Sequence, residues 1–233
     1  MSDSALPAPQ LVVDSRMLYT SWIPADPDAC ARLLPKKLRP ADNHAVYMNQ
    51  YVVDSEEQTT GFGAYSLSYL GLDLGGLFAP DGVTPARFFT HYLNSSETMR
   101  AYVEERGVPA KPGRTTVAVE TEAEGDVVTA TTYADDRPVI RSRARIGSPD
   151  LVARGHLRYV TQVGNRLVAG NYPYIGQLVA PFEVLSIEFL AEDHPLWALR
   201  PKQPLEVVEA SSFFAPRDSF VYPGGEEDLG PAG

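Results

Sequence analysis

The chain has 233 residues, a net charge of −10 and a single cysteine, Cys30. A hydrophobic fraction of 44% with 21% charged residues is that of an ordinary globular protein able to bury a core without staples. The acidic balance argues against nucleic acid, which needs clustered Lys and Arg, and against docking on an anionic membrane. One cysteine excludes an intrachain disulfide and a cysteine-rich zinc site.

The start, Met-Ser-Asp-Ser-Ala-Leu-Pro, has no basic segment followed by an apolar run, and no stretch reaches the roughly 20 apolar residues of a membrane span. A cytoplasmic protein is the expectation. Residues 1–9 read as a flexible N-terminus and residues 223–233, rich in Gly, Pro and acidic side chains, as a flexible acidic tail. Residues 10–222 between them show no linker and read as a single domain.

In chain order, runs 11–22, 45–53 and 64–72 are rich in β-branched and aromatic residues and predict strands. Asp26 followed by Pro27 predicts a helix start that stops by Pro35. A strand over 87–93 leads into a second helix. There Asn94 with Glu97 three residues on has the form of a capping box, and Gly107 ends the helix. Runs 115–123, 127–134 and 139–146 predict a meander. Its turns are Glu124-Gly125-Asp126 and Asp135-Asp136-Arg137-Pro138. Further strands are expected over 157–162, 184–190, 205–212 and 219–222. The sum is an α+β, mainly β fold: a curved or barrel-like antiparallel sheet with a few inserted helices.

No phosphate loop, dinucleotide fingerprint or nucleophile elbow is present. The four histidines, His44, His91, His156 and His194, share no metal-ligand spacing, so no metal is expected. His91 stands out within Phe88-Phe89-Thr90-His91-Tyr92-Leu93. It reads as a hydrogen-bonded core residue or as a pocket acid or base. Lys111 lies on a rigid turn between Pro109 and Pro112. It reads as a solvated loop lysine or, if desolvated, as a nucleophilic amine.

The order of the pieces resembles the acetoacetate decarboxylase family over about residues 10–222. The resemblance is carried by Arg16 ahead of Asp26-Pro27-Asp28-Ala29, then Leu34-Pro35, then Tyr92-Leu93-Asn94. It continues through Gly107-Val108-Pro109-Ala110-Lys111, which is similar to the family's Gly-Phe-Pro-Lys-Lys element, and ends on His194-Pro195-Leu196 and Pro204-Leu205-Glu206. Residues 145–180 match weakly. In the family the first lysine of the pair forms a Schiff base with a β-keto acid and the second helps lower its pKa. Here those positions are Ala110 and Lys111. A family carboxylate falls on Leu67 and another near Asn49 or Gln50, while the pocket arginine is Arg16.

The resemblance therefore implies an enzyme of the family fold acting on a carbonyl-containing small molecule, a keto acid or polyketide-like compound. Its chemistry would be dehydration, cyclisation or carbon–carbon bond chemistry without the usual Schiff base, in specialised metabolism. Arg16 would bind a carboxylate or enolate oxygen, and Asn49, Gln50, Tyr65 and His91 would hydrogen-bond or move a proton. Tyr19, Tyr69, Phe89, Tyr92 and Met99 would form the pocket wall, beside Leu67 and Ala110. No cofactor is implied, and homo-oligomers are expected as in the relatives. Two alternatives stay open: imine chemistry on Lys111, and a non-catalytic small-molecule-binding protein.

Overall fold

The computed structural model describes residues 6–233. Its strands are β1 (Gln10–Trp22), β2 (Val46–Val53), β3 (Tyr65–Phe78), β4 (Pro85–Asn94), β5 (Ala110–Pro112) and β6 (Arg114–Glu122). They continue with β7 (Gly125–Ala134), β8 (Arg137–Val163), β9 (Arg166–Phe189), β10 (Phe213–Tyr222) and β11 (Glu227–Pro231). The helices are α1 (Pro27–Ala31) and α2 (Glu97–Glu104). None is long and apolar enough to cross a membrane.

The strand path closes on itself. β10, β1, β2, β3 and β4 pair antiparallel in that spatial order. β4 then meets β8 in parallel through Arg87↔Tyr159 and Phe88↔Val160. β8 pairs with β9, and β9 returns to β10 through Tyr174↔Phe220 and its neighbours. The result is a barrel of seven strands around a tyrosine-rich interior. The sheet is mixed rather than wholly antiparallel, since β4 pairs in parallel with both β5 and β8.

Alternation decides which side chain enters the barrel. On β2, Tyr47, Asn49, Tyr51 and Val53 point inward, while Val46, Met48, Gln50 and Val52 point outward. All eight positions are buried, because a second layer covers the outer face. That layer is built from β6, β7 and the paired segments of β8 and β9 on either side of Ala144↔Val184. Leu18, Val52 and Phe214 of the barrel pack there against Val117, Val128, Ala130 and Ala144.

β8 and β9 are long enough to serve both layers. Ladder irregularities between Arg143 and Ala144 and between Pro149 and Leu151 mark the bend. Gly147 lies between them. A Cβ there would come within 2.1 Å of the Ala180 carbonyl oxygen, so no larger residue fits this close approach.

Two local sequence expectations change. The second helix is capped by Ser96, whose Oγ accepts from Met99 N at 3.2 Å. Asn94 is still paired to Leu67 on the sheet, and its Oδ1 accepts from Ser96 N instead. Residues 205–212 form irregular chain with a 3-10 turn at Glu209–Ser211, not a strand.

The acidic tail is not frayed over its length. Glu227–Pro231 adds β11 to the open edge of β9, Leu229 packs on the core, and Ala232 is buried. Its charges meet arginines, Glu227 on Arg158 and Asp228 on Arg166, which local composition does not reveal. At the other end residues 1–5 lie outside the described residues. Leu6 packs against the barrel interior, and Gln10 Nε2 donates to the Pro7 carbonyl.

Candidate active site

The barrel interior holds a cavity of about 170 Å³ to which every one of the seven strands contributes. Tyr19 comes from β1, Asn49 from β2 and Tyr69 from β3. Arg87, Phe89 and Tyr92 come from β4, Tyr159 from β8, Tyr172 and Tyr174 from β9, and Asp218 and Tyr222 from β10. Met17, Thr84, Leu157, Ala210, Ser211, Phe213 and Phe220 complete the lining.

A bulge on β4 sets the inward face. Leu70 pairs with His91 but Gly71 pairs with Phe89, which leaves Thr90 as the extra residue. Arg87 and Phe89 point inward at the normal spacing of two, and after the bulge the next inward residue is Tyr92. Gly71 is needed for this approach, because a Cβ there would lie 1.8 Å from the Phe88 carbonyl oxygen.

Arg87 is 4% exposed. Its Nε donates to Asp73 Oδ1 at 3.1 Å, and its guanidinium carbon sits 5.0 Å and 5.4 Å from the ring centres of Tyr19 and Tyr47. Burial pushes the Asp73 carboxyl above its ordinary value against the pull of Arg87, which stays charged. Among the described residues, neither terminal nitrogen of Arg87 has a hydrogen-bond acceptor. A planar donor pair held by an ion pair and two aromatic faces is suited to a carboxylate or an enolate oxygen.

Asp218 is the second ionisable group of the lining. It is 3% exposed, and its side chain has no hydrogen-bond partner among the described residues. Its carboxyl lies over Gly176, where a Cβ would come 2.1 Å from Oδ1. Burial without a compensating donor pushes the acid up to about 8. Burial also raises the Tyr174 phenol. Asp218 adds to that shift and Arg87 opposes it, so Tyr174 stands within electrostatic reach of both groups.

Phenols supply the remaining polarity. Tyr69 and Tyr159 hydroxyls lie 2.8 Å apart, and Asn49 Nδ2 donates to Tyr69 at 3.0 Å. Deeper in, Tyr51 joins Tyr65 and Tyr222, each at 2.9 Å. Desolvation raises these phenols, so they are neutral hydrogen-bonding groups near pH 7. Among the described residues, the Tyr19 hydroxyl and Oδ1 of Asn49 are buried without a hydrogen-bond partner. Among the described residues no cluster of His, Cys, Asp and Glu has the makings of a metal site.

A family model for acetoacetate decarboxylase matches residues 1–179. The chain belongs to the acetoacetate decarboxylase family. Solved structures agree on the fold. The enduracididine biosynthesis enzyme MppR complexed with pyruvate is 14% identical, with a TM-score of 0.67 over 100% of this chain and 94% of that one. An acetoacetate decarboxylase-like enzyme from Sphingomonas wittichii RW1 is 20% identical, with a TM-score of 0.66 over 99% and 97%. Acetoacetate decarboxylase from Legionella pneumophila is 15% identical, with a TM-score of 0.67 over 98% and 94%. No curated protein sequence matches.

Against the acetoacetate decarboxylase pattern, the candidate residues separate into three groups. Tyr19, Asn49 and Phe89 line the cavity, as do Tyr69 and Tyr92. Tyr65, Leu67, Met99 and Ala110 are buried in the same core without lining it. Gln50, His91, Arg16 and Lys111 lie outside it. Gln50 faces the second layer and donates to Thr132 Oγ1 at 2.8 Å.

Arg16 is turned away from the cavity. It makes a paired contact with Asp54, at 2.8 and 3.1 Å, and donates to the Val117 carbonyl. The cause is local: Asp14 has φ 52°, and the ladder shifts on both sides of Ser15, which leaves Met17 and Tyr19 facing inward. Ala110 is 2% exposed, whereas Lys111, one residue on along β5, is exposed. No lysine lines the cavity among the described residues.

His91 is turned outward by the Thr90 bulge, with Nδ1 3.1 Å from Thr90 Oγ1. Burial and then the nearby His194 push it down to about 4, so it is neutral near pH 7. The unfolded chain binds this proton more readily. The stability is therefore fully present above the ordinary value of 6.5 and is lost as pH falls from there to about 4. His91→Gln is expected to shrink the fall in unfolding free energy between pH 7 and pH 4 by on the order of 2–3 kcal/mol. Urea titrations at the two pH values read this, and equal slopes in both proteins would contradict it.

Sequence reading missed Arg87, Asp218, Tyr159 and Tyr172. Arg87 did carry a signal, a lone charge two residues before Phe89 on an otherwise apolar strand. Asp218 fell one residue outside the strand expected over 219–222.

Proposed function

We propose that this chain is an enzyme acting on a small carbonyl-containing anion, a keto acid or an enolisable dicarbonyl, without a Schiff base at the family's lysine position. The observation that carries the reading is the lining itself, where a fixed guanidinium shares an aromatic cavity with a desolvated carboxyl and no amine. Arg87 holds the oxygen on which negative charge rests or develops. Asp218 moves the proton, since an acid near 8 is poised to take and return one close to neutral pH.

Dehydration is the simplest reaction of this kind. Ionised Asp218 takes the proton α to the carbonyl, and the electron pair of that C–H bond moves onto the oxygen facing Arg87. The pair then returns to form the C=C bond, the β C–O bond breaks, and Asp218 gives its proton to the departing hydroxide, which leaves as water. Cyclisation and carbon–carbon bond chemistry begin from the same enolate. Pyruvate bound in MppR supports a keto acid, and the place of MppR in enduracididine biosynthesis supports specialised metabolism over ordinary acetoacetate decarboxylation.

Trapping with borohydride in the presence of pyruvate and of acetylacetone tests the absence of an imine. Intact mass is expected to stay unchanged, and Lys111→Ala to bind the same ligands with unaltered affinity. A reduced adduct on the peptide carrying Lys111 would sink the proposal and restore imine chemistry.

A further inference from the structure

We infer that the substrate of this cavity is a planar single-ring compound, an aryl or cyclic enolisable monoanion, with its charged oxygens on Arg87. The inference deepens the proposed function and rests on it. A dry void of ~150 Å³ takes one benzene molecule. The cavity of about 170 Å³ therefore has room for one ring and a short oxygen-bearing arm.

Its walls are aromatic faces and edges already arranged in pairs. Tyr19 and Phe213 stack with ring centres 5.3 Å apart and planes 9° from parallel. Phe89 and Tyr159 stack at 4.4 Å and 13°, and Tyr69 turns its edge to both at 86°. Such surfaces favour a further ring by offset stacking or edge contact over an aliphatic group of equal area. Charge sets the second limit. Arg87 is the one cation among the described lining residues, so a dianion or a phosphate ester would bring a charge with no partner. A nucleotide-bearing thioester exceeds the room as well.

Titration calorimetry with phenylpyruvate, pyruvate and 2-naphthylpyruvate tests the inference on the wild-type chain, Arg87→Met and Phe213→Leu. Phenylpyruvate is expected to bind at least about tenfold more tightly than pyruvate, because burial of the phenyl group adds to the same anchor. The naphthyl compound is expected to bind at least about tenfold more weakly than phenylpyruvate, because the packed wall does not admit a second ring. Phe213→Leu, which removes one stacked ring of the wall, should weaken phenylpyruvate by a larger factor than pyruvate. Pyruvate binding as tightly as phenylpyruvate, equal binding of the naphthyl compound, or no binding of phenylpyruvate at millimolar concentration would each overturn the ring class. The two readings fail separately. Anions that all need Arg87 but show no ring preference sink only this inference, whereas affinities unmoved by Arg87→Met sink the anion site itself.

Discussion

Replacing Arg87 by methionine is expected to weaken binding of keto acids and enolisable dicarbonyls by at least about 100-fold, the scale of losing a desolvated, charge-assisted pair of hydrogen bonds. Methionine keeps much of the stem volume and removes the charge. Arg87 sits at 4% exposure between Tyr19 and Tyr47, so its guanidinium meets the ligand largely desolvated. The loss should be smaller in Arg87→Lys, which keeps the charge without the planar fork.

The variant also strands Asp73. Removing one partner of a buried pair destabilises by ~3–5 kcal/mol when the other stays charged. Burial already pushes Asp73 upward, so it can protonate and soften that loss. Adding Asp73→Asn to Arg87→Met is therefore expected to recover stability without recovering affinity. Thermal unfolding and calorimetry on the single and double variants separate the two effects. Full affinity in Arg87→Met would remove Arg87 from the site.

Replacing Asp218 by asparagine is expected to act in opposite directions on activity and on stability. Turnover should fall by at least about 100-fold, the usual contribution of a positioned acid or base. In the wild-type protein kcat/KM should rise with pH through a midpoint near 8, as the ionised form fills, and the variant should lose that limb. For stability, the folded acid lies near 8 and the unfolded one near 3.8. The unfolded chain therefore gives up this proton first, and stability present below about 4 is lost as pH rises to about 8. Asp218→Asn removes that loss. It should stabilise the fold at pH 8 by several kcal/mol at most, on the order of 3 after local relaxation, and change little at pH 4. A variant that is less stable at pH 8, or one with full turnover, would show that Asp218 is a structural carboxylate.

Some local signals in the sequence hold in the structure. Asp26 caps α1 by accepting from Ala29 N at 2.8 Å, with Pro27 at the first helical position. The two turns of the β6–β7–β8 meander lie where Gly125 and the Asp135-Asp136 pair place them, and both aspartates have positive φ. Closure of the barrel had no such signal. It depends on parallel pairing of two residues, Arg87 and Phe88, with partners some seventy positions away, and nothing in either segment announces it.

The same holds for the site. A strict alternation along β4 brings Arg87, Phe89 and His91 to one face, and only the Thr90 bulge exchanges His91 for Tyr92. On β1 the shifts around Ser15 turn Arg16 outward to Asp54. The family position of the lysine was legible, and its occupant Ala110 is buried in the core behind the cavity. The residues that take its place were not, since Arg87 and Asp218 come together only when strands from the two ends of the chain close the barrel.

The most direct test of the central claim is a crystal structure of the protein soaked with a keto acid. The ligand is expected inside the barrel, its carboxylate or enolate oxygens within hydrogen-bonding distance of the Arg87 terminal nitrogens and its carbon chain beside Asp218. Density joined to Lys111 Nζ, or a ligand seated outside the cavity with Arg87 untouched, would contradict it.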